Sequence, residues 1–123
     1  MRGGGRGDWT LTVRDGPKVQ RERHATLAEA VAALDVAVEA LEPGALRDEA
    51  RVFSRRIEPA AQVAARLELS GPRGERGGVD VRGDGSAEAF TGRLRRRVVE
   101  RRGHESATSA LERALSGERG DRR

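Results

Sequence analysis

The stretch "WTLTVRDGPKVQRERHATLAEAVAAL", residues 9–34, decides the fold. Its opening residues alternate, with Trp9, Leu11 and Val13 on one side and Thr10, Thr12 and Arg14 on the other. That period of two is the mark of a strand with one buried face. "RDGPK" supplies Asp, Gly and Pro, the residues of a tight turn. "KVQRERH" then returns as a second strand. Its poverty in apolar residues suits a sheet edge or an exposed face. Thr26 opens a helix, and "TLAE" reads as a capping box with Thr26 as N-cap and Glu29 three residues on. Leu27, Ala30, Val31, Leu34, Val38 and Leu41 recur at helical spacing and form one apolar stripe. "EPG" at residues 42–44 stops it, because Pro43 and Gly44 disfavour continuation.

Working outward, "ARVFSRRIEP" (residues 50–59) reads as a strand ended or bent by Pro59. "AAQVAARLELSGP" (residues 60–72) reads as another, with Val63, Ala65, Leu67 and Leu69 inward and Ala64, Arg66, Glu68 and Ser70 outward. "GPRGERGG" (residues 71–78) reads as a loop, "VDV" as a short strand and "RGDGS" as a hairpin turn. "AEAFTGRLRRRVVE" continues as one bent strand or two short ones, with Gly92 as bulge or break. Ser106 caps a second helix that carries Ala107, Ala110, Leu111, Ala114 and Leu115 on one face and ends at Gly117.

The expected class is α+β. A largely antiparallel sheet of about five to six strands carries two helices, Thr26–Leu41 and Ser106–Leu115, packed on one face in ββα-ββββ-α order. The expected core is Trp9, Leu11, Val13, Leu27, Val31, Leu34, Val38, Leu67, Leu69, Val79, Val81, Leu111 and Leu115. Residues 1–7 and 118–123 are expected to be disordered tails around a single domain, 8–117. Two segments, starting at Leu11 and Val79, both run strand, Gly-containing turn, strand, helix. Aligning them needs insertions, so a duplication stays open.

Composition narrows function by exclusion. The chain has 123 residues and no cysteine, which removes disulfides, thiol catalysis, iron–sulfur clusters and cysteine-rich zinc sites. No apolar run approaches the roughly 20 residues of a membrane span. "MRGGGRGDW" lacks the apolar stretch of a secretory signal. The expectation is a cytoplasmic protein that does not bind membranes. The net charge is +4, and Lys18 is the one lysine among the basic residues. Arginine bias also follows from a GC-rich genome, so the position of the charge carries more than its total.

That position is "GRLRRRVVERR", residues 92–102. Residues 93–102 hold six arginines against Glu100, an excess larger than the net charge of the chain. Read as a strand, 93–99 sets Arg93, Arg95 and Arg97 on one face at about 6.6 Å intervals, two residues of about 3.3 Å each. Guanidiniums fork onto phosphates and carboxylates. Arg93, Arg95, Arg97, Arg101 and Arg102 are therefore the expected anion- or nucleic-acid-binding residues. The expected partner is nucleic-acid phosphate or an acidic protein. The alternative is a structural or homo-oligomeric protein in which this strand pairs with acids such as Glu88 or Glu68, in its own or a partner subunit. Stacking aromatics are scarce, since Trp9, Phe53 and Phe90 are the whole set. Nucleic-acid binding would then be phosphate-driven and weakly sequence-specific.

Other stretches carry less. Arg6-Gly7-Asp8 and Arg82-Gly83-Asp84 match an adhesion tripeptide, but turn chemistry explains the second copy. His24 and His104 lack further ligands at metal-binding spacing. "HES" places His104, Glu105 and Ser106 side by side, and adjacency does not make a triad. The glycines of 71–78 precede a strand, whereas a phosphate cradle needs a helix N-terminus. The carboxylates are scattered. No catalytic residue, cofactor or metal is expected, and the chain reads as a non-enzymatic binding protein. The ββα opening resembles integrase arm-type DNA-binding domains and HicB-type antitoxin domains, in which a capped helix follows a sheet. The resemblance covers that segment alone, and neither family's distinguishing residues can be placed on it.

Overall fold

A computed structural model describes residues 8–41, 63–92 and 95–120. The described chain folds as β1 (Trp9–Asp15), β2 (Lys18–His24), α1 (Leu27–Ala40), β3 (Val63–Ser70), β4 (Arg76–Arg82), β5 (Ala87–Thr91), β6 (Arg97–Val99) and α2 (Ala107–Gly120). All six strands join one sheet in the order β2-β1-β3-β4-β5-β6, and every pairing is antiparallel. The mixed α+β class read from the sequence is the observed one. The candidate strand at 50–59 and the helix stop at 42–44 lie outside the described residues.

Register fixes which residues share a face. Leu11 stands opposite Leu69, Leu67 opposite Val79, and Val79 opposite Ala89. In an antiparallel pair, directly opposed residues point the same way. These residues form one buried cluster with Trp9, Ala65 and Val81. Leu27, Ala30, Val31 and Leu34 join it from α1, and Ala107, Leu111 and Leu115 from α2. Leu11, Leu34, Leu67, Leu69, Leu111 and Leu115 are almost wholly out of solvent, each contributing roughly 1.5–3 kcal/mol of burial. The core is aliphatic, as the composition required.

The connections follow local chemistry. Thr26 caps α1: its Oγ1 accepts from the Glu29 N–H at 3.1 Å, and the Glu29 carboxylate accepts from the Ala25 N–H at 3.2 Å. The Glu29 return bond thus reaches one residue further back than in the usual capping box. The β3–β4 and β4–β5 hairpins are twins. Gly74 N–H donates to Gly71 C=O and Gly71 N–H to Glu75 C=O; Gly85 N–H donates to Arg82 C=O and Arg82 N–H to Ser86 C=O. Gly74 and Gly85 both sit at φ 88. This is a three-residue hairpin loop closed by a left-handed glycine.

Three local expectations change. Residues 76–78, expected in a loop, belong to β4. A β-carbon on Gly77 would press on Leu111, and one on Gly78 on Phe90, so neighbours fill the space the glycines leave. The second helix passes through Gly117 to Gly120. An exposed helical glycine costs about 1 kcal/mol without forcing a stop. Val63 was expected inward with Ala65. A register shift between them sets Val63 opposite Arg82, and one bulged residue moves a side chain to the other face.

Candidate functional site

The second sheet face carries the charge. On β1 it presents Thr10, Thr12 and Arg14, the residues between the core positions. Pairing sets Arg23, Arg21 and Val19 beside them on β2, and Ser70, Glu68 and Arg66 on β3. β4 continues with Arg76, Gly78 and Asp80, β5 with Phe90 and Glu88, and β6 with Val98. Arg82 shares the face through its ion pair with Glu88 at 3.1 Å. Arg96 joins from the β5–β6 connection, where its guanidinium lies over Phe90. Asp8 reaches Arg23 at 3.8 Å. Seven guanidiniums thus meet four carboxylates, an excess of three in a chain whose net charge is +4. Val19, Val63 and Val98 are exposed here at 45%, 40% and 59%.

At the centre, Phe90 stands opposite Gly78. A β-carbon on Gly78 would come within 2.8 Å of the ring and run into the Leu67 carbonyl oxygen. The ring occupies that vacancy and is 6% exposed. The Arg96 guanidinium sits 4.1 Å from the ring centroid and that of Arg66 at 5.8 Å. A cation over an aromatic face is attracted by the ring quadrupole, by about 0.5–2 kcal/mol according to exposure. The buried Asp80 carboxylate ties the two arginines together. It accepts from Arg66 Nε at 2.7 Å and Nη2 at 3.3 Å, and from Arg96 Nη1 at 3.4 Å. The Asp80 hydrogen bond raises the Arg66 pKa above its usual value, against the opposing effect of burial. Outside this centre pairing is thin. Arg14 approaches Glu68 at 3.7 Å. Arg21 and Arg76 are exposed and form no ion pair with another described residue.

Among the described residues, Arg95 and Arg97 of the row expected at Arg93, Arg95 and Arg97 do not share one strand. Arg93 lies outside the described residues, and β6 starts only at Arg97. Arg95 and Arg96 belong to the connection after Gly92, whose φ is 123. A β-carbon on Gly92 would collide with the Arg95 carbonyl, so Gly92 and Arg95 lie closer together than one extended strand would set them. Arg97 pairs with Thr91, which places it on the core side of the sheet and not beside Phe90. Arg101 donates from Nη2 to the Ala87 carbonyl at 2.9 Å, and the Arg102 N–H donates to Glu105 at 2.8 Å. Glu68 and Glu88, offered as partners of that row, pair with Arg14 and Arg82 instead. Sequence reasoning placed Arg14, Arg66 and Glu68 outward but did not join them. It did not bring Arg21, Arg23, Arg76, Arg82, Arg96 and Phe90 to this face. Alternation gave each strand's outward set; nothing local said which strands are neighbours.

The remaining candidates have ordinary surroundings. His24 Nε2 lies 2.9 Å from a Glu22 oxygen, and His104 is exposed. Among the described residues no group of three or more His, Cys, Asp or Glu could hold a metal ion. Arg82-Gly83-Asp84 is the β4–β5 turn, with Asp84 accepting from the Ser86 N–H at 2.9 Å. Ahead of α2, Glu105 accepts from Arg113 at 2.8 and 3.0 Å and from the Arg102 N–H. Arg113 first, then that N–H, hold its carboxyl down at about 2. Arg113 also donates to the Glu100 carbonyl at 2.8 Å, which ties the segment after β6 to α2. No described helix is long and apolar enough to cross a membrane. No family model, curated protein or solved structure matches the chain.

Proposed function

We propose that the chain is a small non-enzymatic binding protein whose arginine-bearing sheet face receives a polyanion. One observation carries this: the register gathers seven arginines from β1–β4 and the β5–β6 connection onto the face that the helices' core cluster does not use. Arg21, Arg23 and Arg76 are exposed there and can move to meet a ligand. Arg66 and Arg96 are held by Asp80 and stiffen the centre. Binding of this kind is driven by counterion release and falls steeply with salt.

The test is fluorescence anisotropy of labelled oligonucleotides, single-stranded and duplex, titrated with protein at low and high salt. The expected result is binding that weakens with salt. In the triple variant Arg21→Gln, Arg23→Gln, Arg76→Gln the salt slope should fall by about 2, from roughly 0.7 per phosphate contact on a single strand. No binding at low salt to either oligonucleotide or to labelled poly-glutamate overturns the reading. A second reading has the exposed Val19, Val63 and Val98 in its favour: the face pairs two copies of the chain. Sedimentation velocity over a range of concentrations decides it, since a dimer must dissociate on dilution.

A further inference from the structure

We infer that the polyanion is a single-stranded nucleic acid, with a base stacked on the outer side of the Arg96 guanidinium. This rests on the polyanion reading and adds to it the class of ligand and the contact that selects it.

Phe90 takes the inner side of that guanidinium at 4.1 Å. The Arg96 side chain keeps 42% of its surface exposed, so part of it stays open to a ligand. Guanidinium planes stack on nucleobases as aromatic rings do. Here the guanidinium is held in advance by the Phe90 ring and by Asp80 at 3.4 Å, so less ordering remains to be lost on binding. Arg76 lies two residues along β4 from Gly78, the partner of Phe90, or about 6.6 Å. Arg21 lies in the same cross-strand row as Phe90, four strands away, or about 19 Å at about 4.8 Å per strand. One flat platform with cations beside it and at a distance suits a flexible strand that presents bases and phosphates in turn.

A duplex fits worse on two counts. Its base faces are covered by their neighbours, so the platform would go unused. Six strands also span roughly 24 Å, whereas the major groove, at about 12 Å, admits a helix or a two-stranded ribbon. An acidic peptide would satisfy Arg21 and Arg76 but offers nothing to lie on Arg96.

The experiment compares four labelled probes of matched length at one low salt concentration: oligothymidylate, an abasic oligomer with the same phosphates, a duplex, and poly-glutamate. The expected result is that oligothymidylate binds about tenfold more tightly than the abasic oligomer, from a base-stacking value of about 1–3 kcal/mol. The duplex and the peptide should bind no better than the abasic strand. Arg96→Lys keeps the charge but loses the plane. It should erase the preference for bases, read within the variant as the ratio of oligothymidylate to abasic affinity. Equal binding of oligothymidylate and abasic oligomer, tighter binding of duplex or poly-glutamate, or an unchanged preference in Arg96→Lys would overturn the inference. In those cases salt-dependent binding would persist and the polyanion reading would stand. Failure of every probe to bind would remove both. The comparison of probes on the unmodified protein needs no variant to fold.

Discussion

Gly78→Ala should destabilise the protein, and Gly117→Ala should stabilise it. Replacing glycine by alanine ordinarily stabilises by about 0.4–1 kcal/mol, because the unfolded chain loses freedom. At Gly78 that gain is outweighed. The new carbon would overlap the Leu67 carbonyl oxygen on the adjoining strand and lie 2.8 Å from Phe90 Cζ. The Leu67 backbone belongs to the ladder between β3 and β4, so it can retreat only by straining ladder hydrogen bonds. Overpacking of this kind costs roughly 1–3 kcal/mol, and one weakened backbone bond adds about 1 kcal/mol. The net expectation is a loss of about 2 kcal/mol, or roughly 6–10 °C in Tm for a chain of this size. At Gly117 nothing lies within 4 Å of the added carbon, and the helix continues past it. The same substitution should gain about 0.8–1 kcal/mol there. Urea unfolding followed by fluorescence of Trp9, the single tryptophan and 3% exposed, measures both. A Gly78→Ala variant as stable as the parent would show that the ring and the strand yield freely, and the account of the Phe90–Gly78 centre would fall.

Other expectations can be checked with the same unfolding assay. Glu105 titrates at about 2 in the folded chain against an ordinary 4.5, so its stabilising contribution is full above pH 4.5 and disappears as pH falls toward 2. The stability gap between the parent and Glu105→Gln should therefore narrow over that window; a constant gap would refute the Arg113 clasp. Thr26→Ala removes the N-cap oxygen that accepts from Glu29 at 3.1 Å and should cost about 1 kcal/mol. Glu68→Gln frees Arg14 from a long, half-exposed ion pair. It should change stability by less than about 0.5 kcal/mol while tightening oligonucleotide binding at low salt. Unchanged or weaker binding in that variant would count against the sheet face as the binding surface.

What the sequence determined by itself was local. Alternation at Trp9–Val13 and at Ala65–Leu69 marked strands and their buried sides, since side-chain direction in a strand depends only on position. The Thr26 cap and the Leu27–Leu34 stripe marked α1, because the groups that close a helix lie within four residues of one another. Turn residues marked the β1–β2 and β4–β5 hairpins for the same reason. The order and register of the strands were not written in any one segment. They decide that Arg21, Arg66 and Asp80 share a face with Phe90, and each of these comes from a different strand. Gly77 and Gly78 looked like loop because a glycine's neighbours across the sheet cannot be seen along the chain; Leu111 and Phe90 make them strand. The arginine run looked like a strand face because charge density is visible locally. Arg96 meets Phe90 through the pairing of β5 with β6, which no single segment displays.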